Sequence, residues 1–201
     1  MRLGLHRLLY LLCTTLLLSA CVTIPPSNVL TVRSVSELKQ FVVSGKLAVI
    51  TPNKKQSARL FWQQLDATSY KVSASTVLGI SVFSAQRQQN LFSVVVEGQT
   101  YQSDEPTQLL FDLTGWWLPV DDFGAWLRAD VNASEGQIEY HADSTQLKTF
   151  TPICTAQCSS PLTIAYSDYR PYGQLMLPHS IRIDGSGERS QTLKLRINEW
   201  R

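Results

Sequence analysis

Apolar and polar residues alternate along much of the chain, which is the pattern of a β-strand with one buried face. In one such segment, Tyr70, Val72 and Ala74 alternate with lysine and serine. The sequence predicts strands over residues 43–51, 56–65, 70–75, 80–85, 91–97, 137–141, 147–151, 162–166, 180–184 and 192–198. We therefore expect a mainly β protein of about 9–11 antiparallel strands, and a sheet this long tends to curl into an incomplete barrel.

Helical spacing interrupts this alternation. Three signals mark where helices begin. Ser34 and Glu37 have the spacing of a capping box, Pro106 suits a first helical turn, and Asp121 or Asp122 suits a helix cap. The sequence predicts helices in three places: from Ser34 to just before Gly45, from Pro106 to Gly115, and from Asp121 or Asp122 through Trp126 and Leu127.

The beginning of the chain has the layout of a bacterial lipoprotein leader. Basic residues precede an apolar run over residues 8–18, and two small residues stand directly before Cys21. We expect residues 1–20 to be removed as a signal peptide and Cys21 to be the site of lipid attachment. Residues 21–33 then form a lipidated tether, and residues 34–201 form one folded domain. The alternative is an ordinary secretory signal in which the cysteine occurs by chance.

Composition and charge exclude several classes of protein. Without the predicted signal the chain has 16 basic and 16 acidic residues, so nothing favours nucleic acid as a partner. Five tryptophans and seven tyrosines are typical of a folded domain. After the leader, no apolar run reaches the roughly 18 residues of a membrane helix. Contact with a membrane must therefore come from the lipid anchor or from a surface feature.

Two cysteines remain in the expected mature domain besides Cys21. Cys154 and Cys158 lie four positions apart, and in an oxidising compartment a local disulfide between them is the simplest interpretation. A redox role is disfavoured because the spacing is not C-x-x-C and no basic residue flanks the pair. A zinc site would need further ligands, so we expect no metal and no cofactor.

A series of motifs resembles the LolB family, in order and over nearly the whole expected mature chain. LolB proteins are outer-membrane lipoproteins that accept other lipoproteins from a soluble periplasmic carrier. The motifs are Gly45 at the start of a strand, residues 58–64 (ARLFWQQ), 77–79 (VLG), 113–115 (LTG), 118–120 (LPV), 126–127 (WL) and 193–200 (LKLRINEW). The segment around Cys154 and Cys158 has no counterpart in the family pattern.

The resemblance implies a strongly curved antiparallel sheet, open as an incomplete barrel and covered by helices that act as a lid. It also implies a lipid-anchored protein on the periplasmic face of the outer membrane. Its partners would be a carrier of the LolA type, passenger lipoproteins with their acyl chains, and outer-membrane lipid. We expect the protein to be a monomer.

The resemblance also assigns a role to Leu78 and its neighbour Val77. In the LolB family, a leucine at this place lies on a protruding loop and helps to push acyl chains into the bilayer. Burying one leucine among lipid tails is worth about 1.5–3 kcal/mol, enough to bias docking but too little to lock the protein onto the membrane. The alternative is that Leu78 packs beneath the next strand.

The family fold further predicts an acyl-chain cavity between sheet and lid. Alternation along the strands and the position of the lid point to a set of apolar residues as its lining: Trp62, Trp117, Trp126, Val72 and Phe92. The alternative is that these side chains fill an ordinary core.

Other functions remain open at this stage. A half-barrel that holds a free lipid or glycolipid, or a structural envelope lipoprotein with a filled interior, would share most of these features. An enzyme is less favoured, because His141 and His179 belong to no metal or triad motif. The sequence also contains no phosphate-binding glycine motif.

Overall fold

The computed structural model describes residues 32–153, 161–187 and 190–201. The predictions made for the signal peptide, for Cys21 and for the pair Cys154 and Cys158 lie outside these residues. Neither helix of the described residues has the length and apolar character needed to cross a bilayer.

The described residues form one open antiparallel sheet and two α-helices, which confirms the predicted fold class. The strands are β1 (Phe41–Ile50), β2 (Lys55–Gln64), β3 (Tyr70–Ser75), β4 (Ser81–Gln88), β5 (Leu91–Val96), β6 (Gln99–Ser103), β7 (Gly136–Tyr140), β8 (Leu147–Pro152), β9 (Leu162–Tyr172), β10 (Leu175–Gly185) and β11 (Thr192–Trp200). Their order across the sheet is β6-β5-β4-β3-β2-β1-β11-β10-β9-β8-β7.

Among the described strands, only one pair that is consecutive in sequence does not lie side by side in the sheet. The connection of this pair joins β6 at one edge of the sheet to β7 at the other edge, and it contains α1 (Pro106–Thr114) and α2 (Val120–Arg128). Proline stands at the first turn of α1, and Gly115 ends the helix with a φ of +71°, as the sequence predicts. Because this segment joins the two edges, the helices lie over one face of the sheet and cover it.

The core lies between that face and the helical segment. The alternating strand residues point toward it, and the largest fully buried strand residues include Trp62, Phe83, Phe92 and Phe150. The helical segment contributes Trp116, Leu118, Phe123 and Leu127 from the opposite side. Period-two burial in β1, β2 and β3 therefore follows directly from the apolar alternation in the sequence.

The predicted helix at Ser34 is wrong. Only one 3-10 turn forms there, over Val35–Glu37, and Phe41 already begins β1. The Glu37 side chain turns back toward the preceding residues, as a capping box requires. Its carboxylate accepts the backbone N–H of Arg33 at 2.9 Å, however, instead of that of Ser34. Pairing of β1 with both β2 and β11 buries its alternating residues, so tertiary contacts outweigh the local helix signal.

Two further differences concern the strands. The sequence predicts no strand over Gln99–Ser103, because this segment is polar and lacks an apolar alternation, yet it forms β6. It pairs with β5 at an edge, where polar residues are tolerated. Strand β9 continues beyond the predicted end at residue 166 to Tyr172, and β10 begins at Leu175 instead of residue 180. A tight hairpin at Gly173 therefore joins the two strands.

Candidate functional site

The loop between β3 and β4 is short and tightly closed. The Thr76 N–H donates to the Ile80 carbonyl at 2.8 Å, and the Gly79 N–H donates to the Thr76 carbonyl at 2.9 Å. The Ile80 N–H also donates to Thr76 Oγ1 at 3.1 Å. Gly79 has a φ of +85°, a left-handed conformation in which glycine avoids the strain that a side chain would cause. The loop is thus a fixed turn at the end of the sheet.

Apolar side chains project from this turn into solvent. Leu78 is 88% exposed, Val77 is 68% exposed and Ile80 is 64% exposed. The alternative in which Leu78 packs beneath the next strand is therefore wrong. Several exposed apolar residues on one loop are unusual for a soluble surface and indicate a site of contact with another apolar surface. We call Val77, Leu78 and Ile80 the apolar tip.

The residues predicted to line an acyl-chain cavity share one environment. All five are buried between the sheet and the helical segment: Trp62, Val72, Phe92, Trp117 and Trp126. Trp62 is in contact with aromatic rings on both sides of this space, since its ring centroid lies 4.7 Å from that of Tyr70 and 5.5 Å from that of Phe123. In this structure the chain's own side chains fill the space.

Because the interior is filled, an acyl chain could enter only if part of the packing between α2 and the sheet were displaced. Phe123 and Trp126 belong to α2, so removing that helix from the sheet would expose the apolar face around Trp62. The role of these residues as a cavity lining remains a prediction about a state in which the helices have moved.

A polar contact holds the beginning of α2 against the sheet. The guanidinium of Arg87 on β4 donates to both carboxylate oxygens of Asp121, at 2.8 and 2.9 Å. The Tyr70 hydroxyl on β3 donates to the same carboxylate at 2.9 Å. Burial, with the Asp121 charge, raises the pKa of Tyr70, so the hydroxyl keeps its proton for this bond at neutral pH. We call Arg87, Tyr70 and Asp121 the helix clasp.

Two buried glutamines make similar contacts farther along. Gln64 Oε1 accepts the Trp62 indole N–H at 2.9 Å, and its Nε2 donates to the Asp66 carbonyl at 2.7 Å. Gln191, in the connection before β11, accepts the Trp117 N–H at 3.3 Å and donates to the Trp117 carbonyl. The Gln64 bonds stay within β2 and its turn, whereas Gln191, together with Gln56, which accepts the Trp116 indole N–H at 3.1 Å, attaches the helical segment to the sheet.

The described histidines belong to no metal-binding group and contact the backbone. No group of three or more His, Cys, Asp or Glu side chains in the described part of the chain is placed to hold a metal ion. His141 Nε2 lies 3.1 Å from the Tyr166 carbonyl, and His179 Nδ1 lies 3.0 Å from the Ile197 carbonyl. Both imidazoles thus have structural partners on the backbone.

Sequence reasoning missed two parts of this site. The sequence predicts that Ile80 begins the strand over residues 80–85, but this strand begins at Ser81 and Ile80 belongs to the turn that Gly79 forms. The helix clasp was missed because its members are far apart in sequence, with Tyr70 51 positions from Asp121. Asp121 was expected only as a helix-capping residue.

Comparison with known proteins decides the family. The model of the family described as "Outer membrane lipoprotein LolB" matches residues 39–200. The chain belongs to the LolB family. As a LolB-family member it is a lipid-anchored outer-membrane lipoprotein that serves in lipoprotein localisation.

Two relatives from Aeromonas species agree with this assignment at the sequence level. An outer-membrane lipoprotein LolB of Aeromonas hydrophila is 31% identical over 198 residues, which covers 96% of this chain and 95% of that protein. The LolB of Aeromonas salmonicida is 29% identical over 191 residues, which covers 92% of this chain and 91% of that protein. A crystal structure of a LolA-superfamily protein from Nitrosomonas europaea matches with a TM-score of 0.49 at 9% identity, over 81% of this chain and 86% of that one.

Proposed function

We propose that this protein receives mature lipoproteins from a periplasmic carrier of the LolA type and inserts them into the outer membrane. The observation that carries the proposal is the apolar tip on a LolB-family sheet, with Leu78 88% exposed. The partners are the carrier, the acyl chains of the passenger lipoprotein, and outer-membrane lipid.

In the first step, the acyl chains of the passenger enter between the sheet and the helical segment. Each buried CH₂ is worth about 0.8 kcal/mol, so one long acyl chain represents on the order of 10 kcal/mol. This gain opposes the loss of packing between Phe123 of α2 and Trp62 of the sheet, and the loss of the helix clasp, when α2 moves away. The transfer proceeds downhill between apolar environments and needs no nucleotide.

In the second step, the apolar tip enters the bilayer surface and the acyl chains leave the protein beside it. Three exposed apolar side chains on a fixed turn lose no internal packing when they enter lipid. Leu78 alone contributes about 1.5–3 kcal/mol on burial. The contact is therefore favourable and still reversible, which an insertion factor that acts repeatedly requires.

The test is transfer of a radiolabelled lipoprotein from its carrier to liposomes. Leu78→Glu places a charge where the leucine would enter lipid, and we expect insertion to fall about 30-fold, equivalent to about 2 kcal/mol, with folding and passenger binding unchanged. Met176→Glu is the matched control, because Met176 is also an exposed apolar residue, 41% exposed, but lies beside the β9–β10 hairpin. Normal insertion by Leu78→Glu would refute the role of the tip.

The packed interior favours one second candidate, a structural envelope lipoprotein whose core never opens. The two candidates differ in their response to an environment-sensitive fluorescent fatty acid. A lipoprotein receptor binds it with a blue-shifted emission, and competition by a passenger lipoprotein lowers the signal. A structural protein with a permanently filled core gives no such signal. Recovery of lipid, but never of a lipoprotein, with the purified protein would instead indicate a carrier of free lipid or glycolipid.

A further inference from the structure

Charge is divided unevenly along the chain. Residues 38–96 contain seven Lys or Arg and a single acidic residue, Asp66, whereas residues 97–201 contain eight Lys or Arg and fourteen acidic residues. The first region forms β1 to β5 and includes the apolar tip. Asp66 lies in the β2–β3 turn, where its carboxylate accepts the N–H groups of Thr68 and Ser69. The half of the sheet that carries the tip is therefore strongly basic.

Strand register places two lysines level with the apolar tip. Arg59 of β2 pairs with Ser75 of β3. Lys55 lies four residues before Arg59, and Gly79 lies four residues after Ser75. Because β2 and β3 run in opposite directions, Lys55 and Gly79 lie at the same end of the sheet. Lys54 and Lys55 are exposed, and neither forms an ion pair with another described residue.

A row of cations continues this basic surface on the outer face of the sheet. Lys46 of β1 lies directly opposite Arg59 on one side and Arg196 of β11 on the other, and all three are exposed. Like charges directly opposite each other destabilise a sheet. Asp168 lies 3.2 Å from Arg196, but Lys46 and Arg59 have no carboxylate partner among the described residues. A bound anionic surface would relieve this repulsion.

We propose that Lys54 and Lys55, supported by Lys46 and Arg59, bind the anionic headgroups of phospholipids and thereby orient the apolar tip toward the bilayer. This inference rests on the proposed function, because it concerns how the same tip reaches the membrane. The ligand is the phosphate-bearing headgroup layer of a lipid surface such as one containing phosphatidylglycerol.

The combination of residues favours a lipid surface over an acidic protein. Basic side chains beside exposed apolar ones fit the boundary between headgroups and acyl chains, where both types of group find partners. Three described carboxylates lie at this end of the sheet, and none lies beside Lys54 and Lys55 in the strand order. Glu97 is in the β5–β6 turn, Asp184 is paired with Arg182, and Glu135 precedes the edge strand β7, where it accepts the Asn132 N–H.

The experiment measures binding of the mature chain to vesicles, with Cys21→Ala so that no acyl chain contributes. One set of vesicles is phosphatidylcholine, and the other contains about one third phosphatidylglycerol. A lysine near an anionic surface is worth about 1 kcal/mol, or about fivefold in affinity. We expect Lys54→Gln/Lys55→Gln to bind the anionic vesicles about 25-fold more weakly and the neutral vesicles as the parent does. Added salt should weaken the parent on anionic vesicles only.

Lys71→Gln is the matched control. Lys71 is an exposed lysine of β3, but it pairs with Gln63 and Gln86, toward the opposite end of the strands from the tip. We expect it to keep the parent's affinity for both vesicles. Equal loss with Lys71→Gln and with the double variant would show a general charge effect and overturn the proposal.

Two more outcomes would overturn it. Unchanged binding of Lys54→Gln/Lys55→Gln to anionic vesicles would remove the lysines from the membrane contact, and weakened binding to the carrier alone would assign them to an acidic protein. Failure of the proposed function itself is distinguishable, because it is measured with Leu78→Glu in lipoprotein transfer and the lysine test needs no lipoprotein.

Discussion

A single glycine sets how closely α2 approaches the sheet. A Cβ at Gly124 would overlap Gln64 Oε1 and would lie 3.4 Å from Trp62 Cζ2. Gln64 cannot easily move aside, because its oxygen accepts the Trp62 indole N–H and its amide donates to the Asp66 carbonyl. The smallest residue at position 124 therefore allows the helix to lie directly on Trp62.

We predict that Gly124→Ala lowers the free energy of unfolding by about 1–2 kcal/mol, measured by urea denaturation. Alanine favours the helix by up to about 1 kcal/mol, but overpacking against a fixed amide costs about 1–3 kcal/mol. The same change in a Gln64→Ala background supplies the control, since the clash is then absent and alanine should be neutral or stabilising. Destabilisation of equal size in both backgrounds would contradict this explanation.

At the scale of elements, α2 is the piece whose attachment decides whether the interior opens. Its buried face carries Phe123, Trp126 and Leu127, which pack on the sheet. Its first turn carries Asp121, which the helix clasp joins to β3 and β4. Apolar packing gives most of the adhesion, whereas the clasp fixes where the helix begins.

We predict that Asp121→Ala lowers the free energy of unfolding by about 1–2 kcal/mol, because it removes an ion pair and leaves the hydroxyl of the buried Tyr70 without its acceptor. The same variant should take up a fluorescent fatty acid faster in stopped-flow measurements, since less holds α2 down. Asp184→Ala is the comparison, because it removes an ion pair on β10 that does not contact the helices. Faster uptake by that variant as well would argue against a specific clasp.

At the scale of the whole domain, the apolar tip and the start of the folded chain lie at opposite ends of the sheet. Residues 33–35 line a groove with Gln174 and Met176, beside the β9–β10 hairpin. The antiparallel register places that hairpin at the end away from the β3–β4 loop. With a rise of about 3.4 Å per residue, ten-residue strands separate the two ends by about 30 Å.

We predict that tether length limits the anchored protein. The expected tether of residues 21–33 spans up to about 45 Å when extended, enough to let the tip reach the membrane that holds the anchor. Deletion of residues 23–30 leaves a reach of less than about 20 Å, so insertion of lipoproteins by the anchored protein should fall sharply. The same deletion in the Cys21→Ala chain should have no effect in the liposome transfer assay. Normal insertion by the shortened, anchored protein would contradict this geometry.

The sequence by itself determined ten of the eleven described strands, both central helices and the family motifs. Period-two alternation, Pro106 and Gly115 are local signals, so they can be read without knowing the tertiary structure. The sequence also determined the charge division between residues 38–96 and the remainder. Tertiary structure alone decided that Phe41 belongs to a strand, since pairing with two neighbours outweighs a capping box. It alone decided the exposure of Leu78, the filled space around Trp62 and the clasp at Asp121. These features depend on sheet pairing and on the crossing of α1 and α2, which bring together residues that are distant in sequence.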